Sequence, residues 1–185
     1  MRRTVLSVMI ATLASASAFA APTFGGLAQP GPATAAGQIM STDGKPIGRV
    51  TARQGPAGVL ITVEASGLTP GWHGVHIHEQ GDCSDPAFRK AGSHVHDATH
   101  AVHGFLAQGG PDLGDLANLW VASDGTGRAE MFTTRVSLDG SYGRRSLIAA
   151  PGASLVIHAA TDDYTSQPIG GAGARVACAV FSPAG

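Results

Sequence analysis

Residues 72–79 read Trp72-His73-Gly74-Val75-His76-Ile77-His78-Glu79. In this run two β-branched apolar residues alternate with His76 and His78, and a period of two is typical of a β-strand. Successive side chains of a strand point to opposite faces, so these histidines share one face, roughly 7 Å apart. Imidazole is the most common metal ligand among side chains. The run therefore predicts a strand that carries part of a metal site.

Short apolar segments bounded by turn residues continue on both sides of this strand. The chain has 26 glycines and 11 prolines, and only 14% of its residues are charged. No convincing amphipathic helix interrupts the pattern. The predicted strands are 38–40, 47–53, 59–65, 72–79, 116–122, 127–133, 154–158 and 175–181. We therefore predict an all-β domain, an eight-stranded antiparallel sandwich or barrel.

Two long irregular segments, residues 79–115 and 159–174, interrupt the predicted strands. Seven of the eight histidines lie within residues 72–104, three just before the first segment and four within it, and His158 immediately precedes the second. Loops of this length in a compact domain usually carry function. We therefore expect the site to lie where the two loops meet the barrel.

Length and charge narrow the class of protein. A chain of 185 residues is expected to form one domain with or without a tail. Its formal net charge is −1 and its pI is near 6.7, and no stripe of lysine and arginine occurs. This balance argues against a nucleic-acid-binding protein.

Residues 1–20 predict a secretory signal peptide. Two arginines are followed by a short apolar core and by Ala18-Phe19-Ala20, so cleavage is expected near Ala20. The apolar core is too short to span a bilayer. Residues 21–36 predict a flexible lead-in, and residues 37–185 the folded domain. The mature protein is expected in the periplasm or outside the cell, without a membrane anchor.

Export also determines what is expected of the two cysteines. Cys83 and Cys178 are the only cysteines of the chain. In an oxidising compartment an even number of cysteines favours a disulfide over free thiols. We therefore expect a bridge that encloses most of the domain.

Several motifs, in the same order, resemble those of the copper–zinc superoxide dismutase family in its exported bacterial form. They are Gly74-Val75-His76-Ile77-His78-Glu79, Gly81-Asp82-Cys83, Ala91-Gly92-Ser93-His94, Gly110-Pro111-Asp112-Leu113-Gly114-Asp115-Leu116, Leu155-Val156-Ile157-His158-Ala159-Ala160-Thr161-Asp162-Asp163 and Gly171-Ala172-Gly173-Ala174-Arg175-Val176-Ala177-Cys178. The resemblance implies a Greek-key arrangement of the eight strands. It also implies an enzyme that converts superoxide to O2 and hydrogen peroxide by cycling copper between Cu(II) and Cu(I).

By the same resemblance, copper is held by His76, His78, His94 and His158. His94 bridges copper and zinc and takes part in catalysis. Arg175 matches the family arginine at the mouth of the copper channel, where its charge attracts superoxide. Any one of these histidines alone is better explained as an ordinary structural residue, but the ordered set favours a metal site.

Asp162 matches a carboxylate that links a copper-ligating histidine to a zinc-ligating one and orients both. For zinc, the resemblance implies His94, His103 and Asp115. The family usually has a histidine as fourth ligand, three residues before the last aspartate, where this chain has Asp112. A site of two histidines and two aspartates is chemically possible, because zinc accepts carboxylate oxygen.

Two alternatives to Asp112 stay open: His96 or His100 completes the site, or zinc binds weakly or not at all. Otherwise His73, His96 and His100 are expected to be structural or solvent-facing. Trp72 and Trp120 are expected to pack.

Three functions are weighed. The leading one is an exported superoxide dismutase, and the alternative is a copper-binding or copper-delivery module of the same fold without turnover. A structural β-domain does not explain the recurrence of histidine at matching positions. Retention of the four copper histidines and Arg175 favours the enzyme. Monomer and homodimer both remain open.

Overall fold

The computed structural model describes residues 33–97, 99 and 101–184. The predicted signal peptide and most of the predicted lead-in lie outside this range, as does His100. None of the described segments forms a helix with the length and hydropathy that a membrane crossing requires.

The described residues form twelve β-strands and two single-turn 3-10 helices, Arg89–Ala91 and Ser141–Gly143. In chain order the strands are β1 (Thr34–Ser41), β2 (Pro46–Gln54), β3 (Val59–Ala65), β4 (Gly71–His73), β5 (Val75–His78), β6 (Leu119–Val121), β7 (Gly127–Thr133), β8 (Val136–Ser137), β9 (Arg145–Ser146), β10 (Ser154–His158), β11 (Arg175–Val180) and β12 (Ser182–Pro183).

The predicted histidine strand is divided at Gly74, and this division closes the barrel. The main sheet has the order β4-β6-β7-β3-β2-β1-β11-β10-β5, with antiparallel pairs throughout. Its first and last members, β4 and β5, are the two halves of one strand on either side of Gly74. Counted as one strand, they leave eight strands around a nearly closed antiparallel barrel, which confirms the predicted fold class.

A Cβ on Gly74 would lie 2.8 Å from the Cβ of Ala172, so only glycine fits against the second loop at this point. Gly74 also accepts a backbone hydrogen bond from His158 and donates one to Ala160. The division of the strand is therefore tied to the segment that begins the second loop.

Strands β5 and β10 differ from the rest because both of their faces are covered. On β3, the side chains of Val59, Ile61 and Val63 are fully buried while their neighbours are partly exposed, as the alternating pattern predicts. By contrast, every residue of β5 and β10 is buried. Their apolar residues face the barrel core, except Val156, which packs on the other face with Phe88, Ala91 and Cys178, and their histidines lie under the two long loops.

Two boundaries differ from those predicted. Strand β1 begins at Thr34, so the last residues of the predicted lead-in 21–36 pair with β2 and belong to the barrel. Small residues resemble a linker in composition, but here they allow close packing: a Cβ on Gly37 would lie 2.2 Å from the carbonyl oxygen of Val180. Strand β6 is shorter than the predicted 116–122, because the backbone N–H of Asn118 donates to the hydroxyl of Tyr164 instead.

Cys83 and Cys178 form the expected disulfide, with their Cα atoms 5.8 Å apart. The bridge joins the first long loop to β11 across 95 residues of sequence. A closed loop of this length contributes about 4–5 kcal/mol to stability in the chain-entropy model. It therefore fastens the loop to the barrel next to the histidines.

Candidate metal centre

Four buried histidines from three parts of the chain converge on one point. His76 and His78 come from β5, and His158 ends the neighbouring strand β10. His94 follows the first 3-10 helix and forms an isolated β-bridge with His78. One ligand atom from each of the four lies within 4.8 Å of the others. The structure thus brings together all four residues of the predicted copper set.

A second buried group shares a side chain with the first. It contains His76, His94, His103 and Asp115, again with ligand atoms within 4.8 Å of one another. Oδ1 of Asp115 lies 2.8 Å from Nδ1 of His103 and 3.3 Å from Nδ1 of His94. Since Nε2 of His76 already contacts Asp162, we assign the single free nitrogen of His76 to the first group.

Unpartnered nitrogen atoms mark where an ion fits. The first group has four buried ring nitrogens without a hydrogen-bond partner: Nδ1 of His76 and Nε2 of His78, His94 and His158. A buried polar atom left unpaired costs about 1–3 kcal/mol, so native proteins rarely place four together without a ligand. Imidazole nitrogen suits copper, and a mixed nitrogen and oxygen set suits zinc. The side chains therefore fit both metals.

In two of the copper-group histidines the second nitrogen is anchored by a backbone carbonyl. Nδ1 of His78 lies 2.9 Å from the carbonyl oxygen of Gly92, and Nδ1 of His158 lies 3.0 Å from that of Gly173. A carbonyl can only accept, so both Nδ1 atoms carry the hydrogen and leave Nε2 as a lone pair. The backbone thus presets the tautomer that binds a metal.

Asp162 connects the two groups. Its Oδ2 lies 2.9 Å from Nε2 of His76, and its Oδ1 lies 3.0 Å from Nε2 of His103. Asn118 holds the aspartate by bonding to both its backbone N–H and its carbonyl. The resemblance predicts this link, and the geometry places Asp162 where it orients both rings.

Three of the copper-group histidines, His76, His78 and His158, are held neutral. Burial lowers the pKa of His76 to about 4 and the pKa of His158 to about 3, and it also depresses the pKa of His78. A metal binds imidazole only through a deprotonated nitrogen. At neutral pH these rings therefore need no proton removed before they bind an ion.

The zinc group instead favours a positive charge. Burial alone would lower the pKa of His103, but hydrogen bonds with Asp115 and Asp162 raise it to about 10. Burial opposes ionisation of both carboxyls, yet hydrogen bonds, chiefly from His103, bring the pKa of each below its usual range. In the metal-free protein a proton on His103 thus supplies the positive charge that a bound cation would supply.

Asp112 lies beside the zinc group but belongs to neither cluster of ligand atoms. Its side chain is buried, and its Oδ1 has no hydrogen-bond partner. Burial, together with the charge of Asp115, raises the pKa of Asp112. A buried carboxylate oxygen without a donor is available to a cation.

Arg175 stands over the site at the start of β11. Its guanidinium donates to the carbonyl oxygens of Phe88 and Gly92, the latter at 2.7 Å. A cavity of about 300 Å³ is lined by Arg175, His94, Asp112 and seven further residues, and Arg175 is the only lysine or arginine among those that line it. An anion entering this cavity meets one fixed positive charge next to the histidines.

The remaining histidines and the tryptophans have other surroundings. His73 is buried with both ring nitrogens bound to carbonyls, in agreement with the structural role expected of it. His96 is exposed at the cavity, also as expected. Trp72 and Trp120 pack as expected, and each is about half exposed (50% and 52%) because the pair lies on the outer face of β4 and β6. They pack edge to face against each other.

Several contacts at the site leave no mark in the sequence. The carbonyls of Gly92 and Gly173 are backbone groups, which no side-chain pattern reveals. Asn118 and Gln167 lie in irregular loops and bind residues 44 and 64 positions away. The sequence marks neither residue, because Asn118 falls within the predicted strand 116–122 and Gln167 within the uncharged run 164–169.

Comparisons with known proteins agree with this geometry. Residues 46–181 match the family model described as copper/zinc superoxide dismutase. A copper–zinc superoxide dismutase of Caulobacter vibrioides is 52% identical over 143 residues, covering 77% of this chain and 82% of the relative.

Two solved structures share the fold. A double mutant of a SOD-like protein from Bacillus subtilis superimposes with a TM-score of 0.75 at 33% identity, covering 80% of this chain and 96% of that one. The Cu/Zn superoxide dismutase from Brucella abortus gives 0.62 at 28% identity, covering 80% and 98%. With the family model matching most of the chain, the chain belongs to the copper–zinc superoxide dismutase family.

Proposed function

We propose that the protein is an exported superoxide dismutase with copper on His76, His78, His94 and His158. The observation that carries the proposal is the convergence of four unpartnered buried nitrogens, one of them on His94, which lines a cavity together with one fixed cation, Arg175. Family membership implies copper and zinc as the metals. Held by these four residues, copper would supply one-electron redox chemistry between two superoxide anions.

The protein residues supply binding and protons. Arg175 attracts the superoxide anion and donates hydrogen bonds to it, because its guanidinium is held rigidly by two carbonyls of the first loop. His94 offers one ring nitrogen to each group, and its Nε2 can hold a proton when it is not a ligand. Such a proton lies next to the bound anion, which needs protons to leave as hydrogen peroxide.

For zinc we propose the set His94, His103, Asp112 and Asp115. The unpartnered oxygen of Asp112 supports its inclusion. We expect Asp112→Ala to lower zinc content, as measured by mass spectrometry of the metals. Zinc content unchanged in Asp112→Ala would exclude Asp112 as a ligand. A marked rise in zinc occupancy and thermal stability in Asp112→His would instead show that the natural aspartate is a poor one.

We propose the periplasm as the location of the mature protein. The disulfide between Cys83 and Cys178 supports export, because such bonds persist in oxidising compartments. Fractionation of cells that express the full chain tests this. We expect the protein in the periplasmic fraction, shortened to begin near Ala21.

The deciding experiment separates the enzyme from a copper-binding module. The mature protein, loaded with copper and zinc, is compared with His158→Ala for metal content and for the decay of superoxide. We expect rapid decay with the parent and loss of copper and activity in the variant. A parent that holds a full complement of copper but leaves superoxide decay at the rate of buffer would reject the enzyme in favour of the copper module.

A further inference from the structure

We propose that Gln167 is a positioning residue that holds the zinc ligand His103 in place through its backbone; this inference rests on the proposed metal sites. The side-chain Oε1 of Gln167 accepts a hydrogen bond from the backbone N–H of His103 at 3.0 Å. Its Nε2 donates to the carbonyl oxygen of the same residue at 2.7 Å. One amide side chain thus satisfies both backbone groups of His103, as a neighbouring strand would.

His103 needs such a partner because it lies in an irregular loop. It belongs to none of the strands or helices of the described residues. Backbone groups buried outside regular structure must find other partners. The next N–H, that of Gly104, donates to Oδ2 of Asp115 at 2.7 Å. Together these bonds fix the backbone of His103 relative to Asp115, and so fix the distance between two of the zinc ligands.

The amide of Gln167 is itself held in one orientation. Its Nε2 also donates to the carbonyl oxygen of Thr165 at 3.0 Å. The amide therefore uses both of its hydrogens and its oxygen. If it were rotated by half a turn, its oxygen would face the carbonyl oxygens of His103 and Thr165, which cannot donate a hydrogen bond. This arrangement demands a glutamine, because a glutamate has no hydrogen to donate at neutral pH.

The same loop also grips the ring of His103. Oδ1 of Asp162 contacts Nε2 of His103, and Gly170 packs directly against both. A Cβ on Gly170 would lie 2.8 Å from that nitrogen and closer still to the aspartate. The loop therefore holds His103 by its ring through Asp162 and by its backbone through Gln167. Two independent contacts make the second loop a support for a ligand that the first loop carries.

Gln167 connects this support to the entrance of the site. It lines the same cavity as Arg175 and is exposed there. Losing the clamp would free the backbone of His103 without removing any metal ligand. Residues that orient ligands in this way typically change metal affinity 10- to 100-fold when they are replaced.

The test uses the mature protein with copper bound and cobalt(II) in place of zinc, because cobalt(II) reports its ligand geometry in the visible spectrum. Gln167→Met keeps the length of the side chain and removes all three hydrogen bonds. We expect it to shift the cobalt spectrum and to speed release of zinc(II) to a chelator at least 10-fold. Copper content should stay at the parent level, because His103 is not in the copper group.

Two further variants complete the design. Gln167→Glu keeps the acceptor for the N–H of His103 but sets a carboxylate oxygen against the carbonyls of His103 and Thr165, so it should also release zinc(II) faster than the parent, and it serves alone if Gln167→Met does not fold. Ser166→Ala is the matched control, because Ser166 in the same loop bonds to Asp163 and not to His103. A cobalt spectrum and zinc release in Gln167→Met and Gln167→Glu that match the parent would overturn the proposal. Equal effects of Ser166→Ala would do the same.

The outcome is separable from that of the proposed function. If the parent takes up no metal at all, the metal sites themselves are wrong. If the parent binds both metals and the Gln167 variants behave like it, only the clamp is wrong.

Discussion

At the scale of single residues, hydrogen bonding rather than burial distinguishes a ligand histidine from a structural one. His73 is as buried as His78 and His158. Both ring nitrogens of His73 contact carbonyl oxygens, at 2.6 and 2.7 Å, whereas His78 and His158 each keep one nitrogen without a partner. The free lone pair is what a metal requires. A buried histidine is therefore a candidate ligand only where the backbone leaves one nitrogen unsatisfied.

Arg175 gives the first prediction. It lies in the cavity but in neither metal group, so its removal should affect substrate capture and spare the metals. We expect Arg175→Ala to lower kcat/KM by about 10-fold or more, because a single cation in a narrow cleft raises the encounter rate of an anion by 10–10³. Stopped-flow measurement of superoxide decay at several ionic strengths checks this, and the salt dependence should weaken in the variant.

Two comparisons sharpen this measurement. Arg175→Lys keeps the charge but not the fork that reaches two carbonyls, so it should lie between parent and alanine variant. Arg128→Ala is the control, because Arg128 is exposed on the barrel and pairs with Glu64. Parent-like rates in Arg175→Ala, at full metal content, would contradict the role of Arg175.

At the scale of elements, the strands are predictable from the sequence because their signals are local. Turn residues bound each strand, and alternation such as that of β3 shows which face is buried. The division of the histidine strand at Gly74 is not predictable in this way. It depends on pairing with β6 on one side and β10 on the other, which no local pattern contains.

The residues of the site differ in the same way in how far the sequence predicts them. The proposed ligands could be named from the sequence because their motifs resemble those of a known family. The contacts that hold those ligands could not, since Gln167 meets His103 across 64 residues and acts on its backbone. Because Gln167 contacts backbone atoms, the contact requires no particular residue type at its distant partner. The sequence therefore gives no sign of it.

Gly74 gives a prediction at this scale. A Cβ there would meet the Cβ atoms of Ala172 at 2.8 Å and Asp162 at 3.3 Å. We expect Gly74→Ala to lower the free energy of unfolding by about 1–3 kcal/mol, as overpacking does in a tight interior. Zinc affinity should fall with it, because the displaced Asp162 orients two ligands. Urea unfolding and zinc competition measure the two effects.

The matched control is Gly55→Ala. Its added Cβ would make only an ordinary contact, 3.4 Å from the carbonyl oxygen of Gly58, and far from the metal centre. Equal loss of stability in both variants would mean that the close approach of Gly74 to the second loop is not the cause of the destabilisation.

At the scale of the whole molecule, the barrel provides one wall of the site and the two loops provide the other. The disulfide joins the first loop to β11, and Arg175 on that strand bonds to the carbonyls of Phe88 and Gly92 in the same loop. The stability of the fold and the position of Arg175, the proposed anion-binding residue, therefore involve the same connection.

This connection predicts a double effect of Cys83→Ser with Cys178→Ser. We expect the free energy of unfolding to fall by about 4–5 kcal/mol, since a closed loop of 95 residues is released. We also expect a lower kcat/KM at full copper content, because the loop that orients Arg175 loses its anchor. Urea unfolding and superoxide decay measure the two effects. A variant with reduced stability and unchanged kcat/KM would show that Arg175 is positioned without the bridge.

The pH dependence of the metal-free protein gives the last prediction. Burial keeps the pKa of His76 at about 4 and the pKa of His158 at about 3, and it also depresses the pKa of His78. In the unfolded chain each titrates near 6.5. Between pH 6.5 and about 4 the unfolded state therefore binds more protons than the folded state. Stability must fall as the pH falls, by about 1.4 kcal/mol per pH unit for each histidine that stays neutral.

On the alkaline side the sign reverses. Burial alone would lower the pKa of His103, but hydrogen bonds raise it to about 10. The folded state therefore keeps a proton that the unfolded chain loses above pH 6.5. Its contribution is complete below that pH and disappears as the pH rises towards 10. We therefore expect stability of the chelator-treated protein, measured by urea unfolding, to peak near pH 6.5–7. His158→Gln should reduce the acid slope by one proton, and a slope unchanged in that variant would contradict the assignment of His158 as a neutral buried ring.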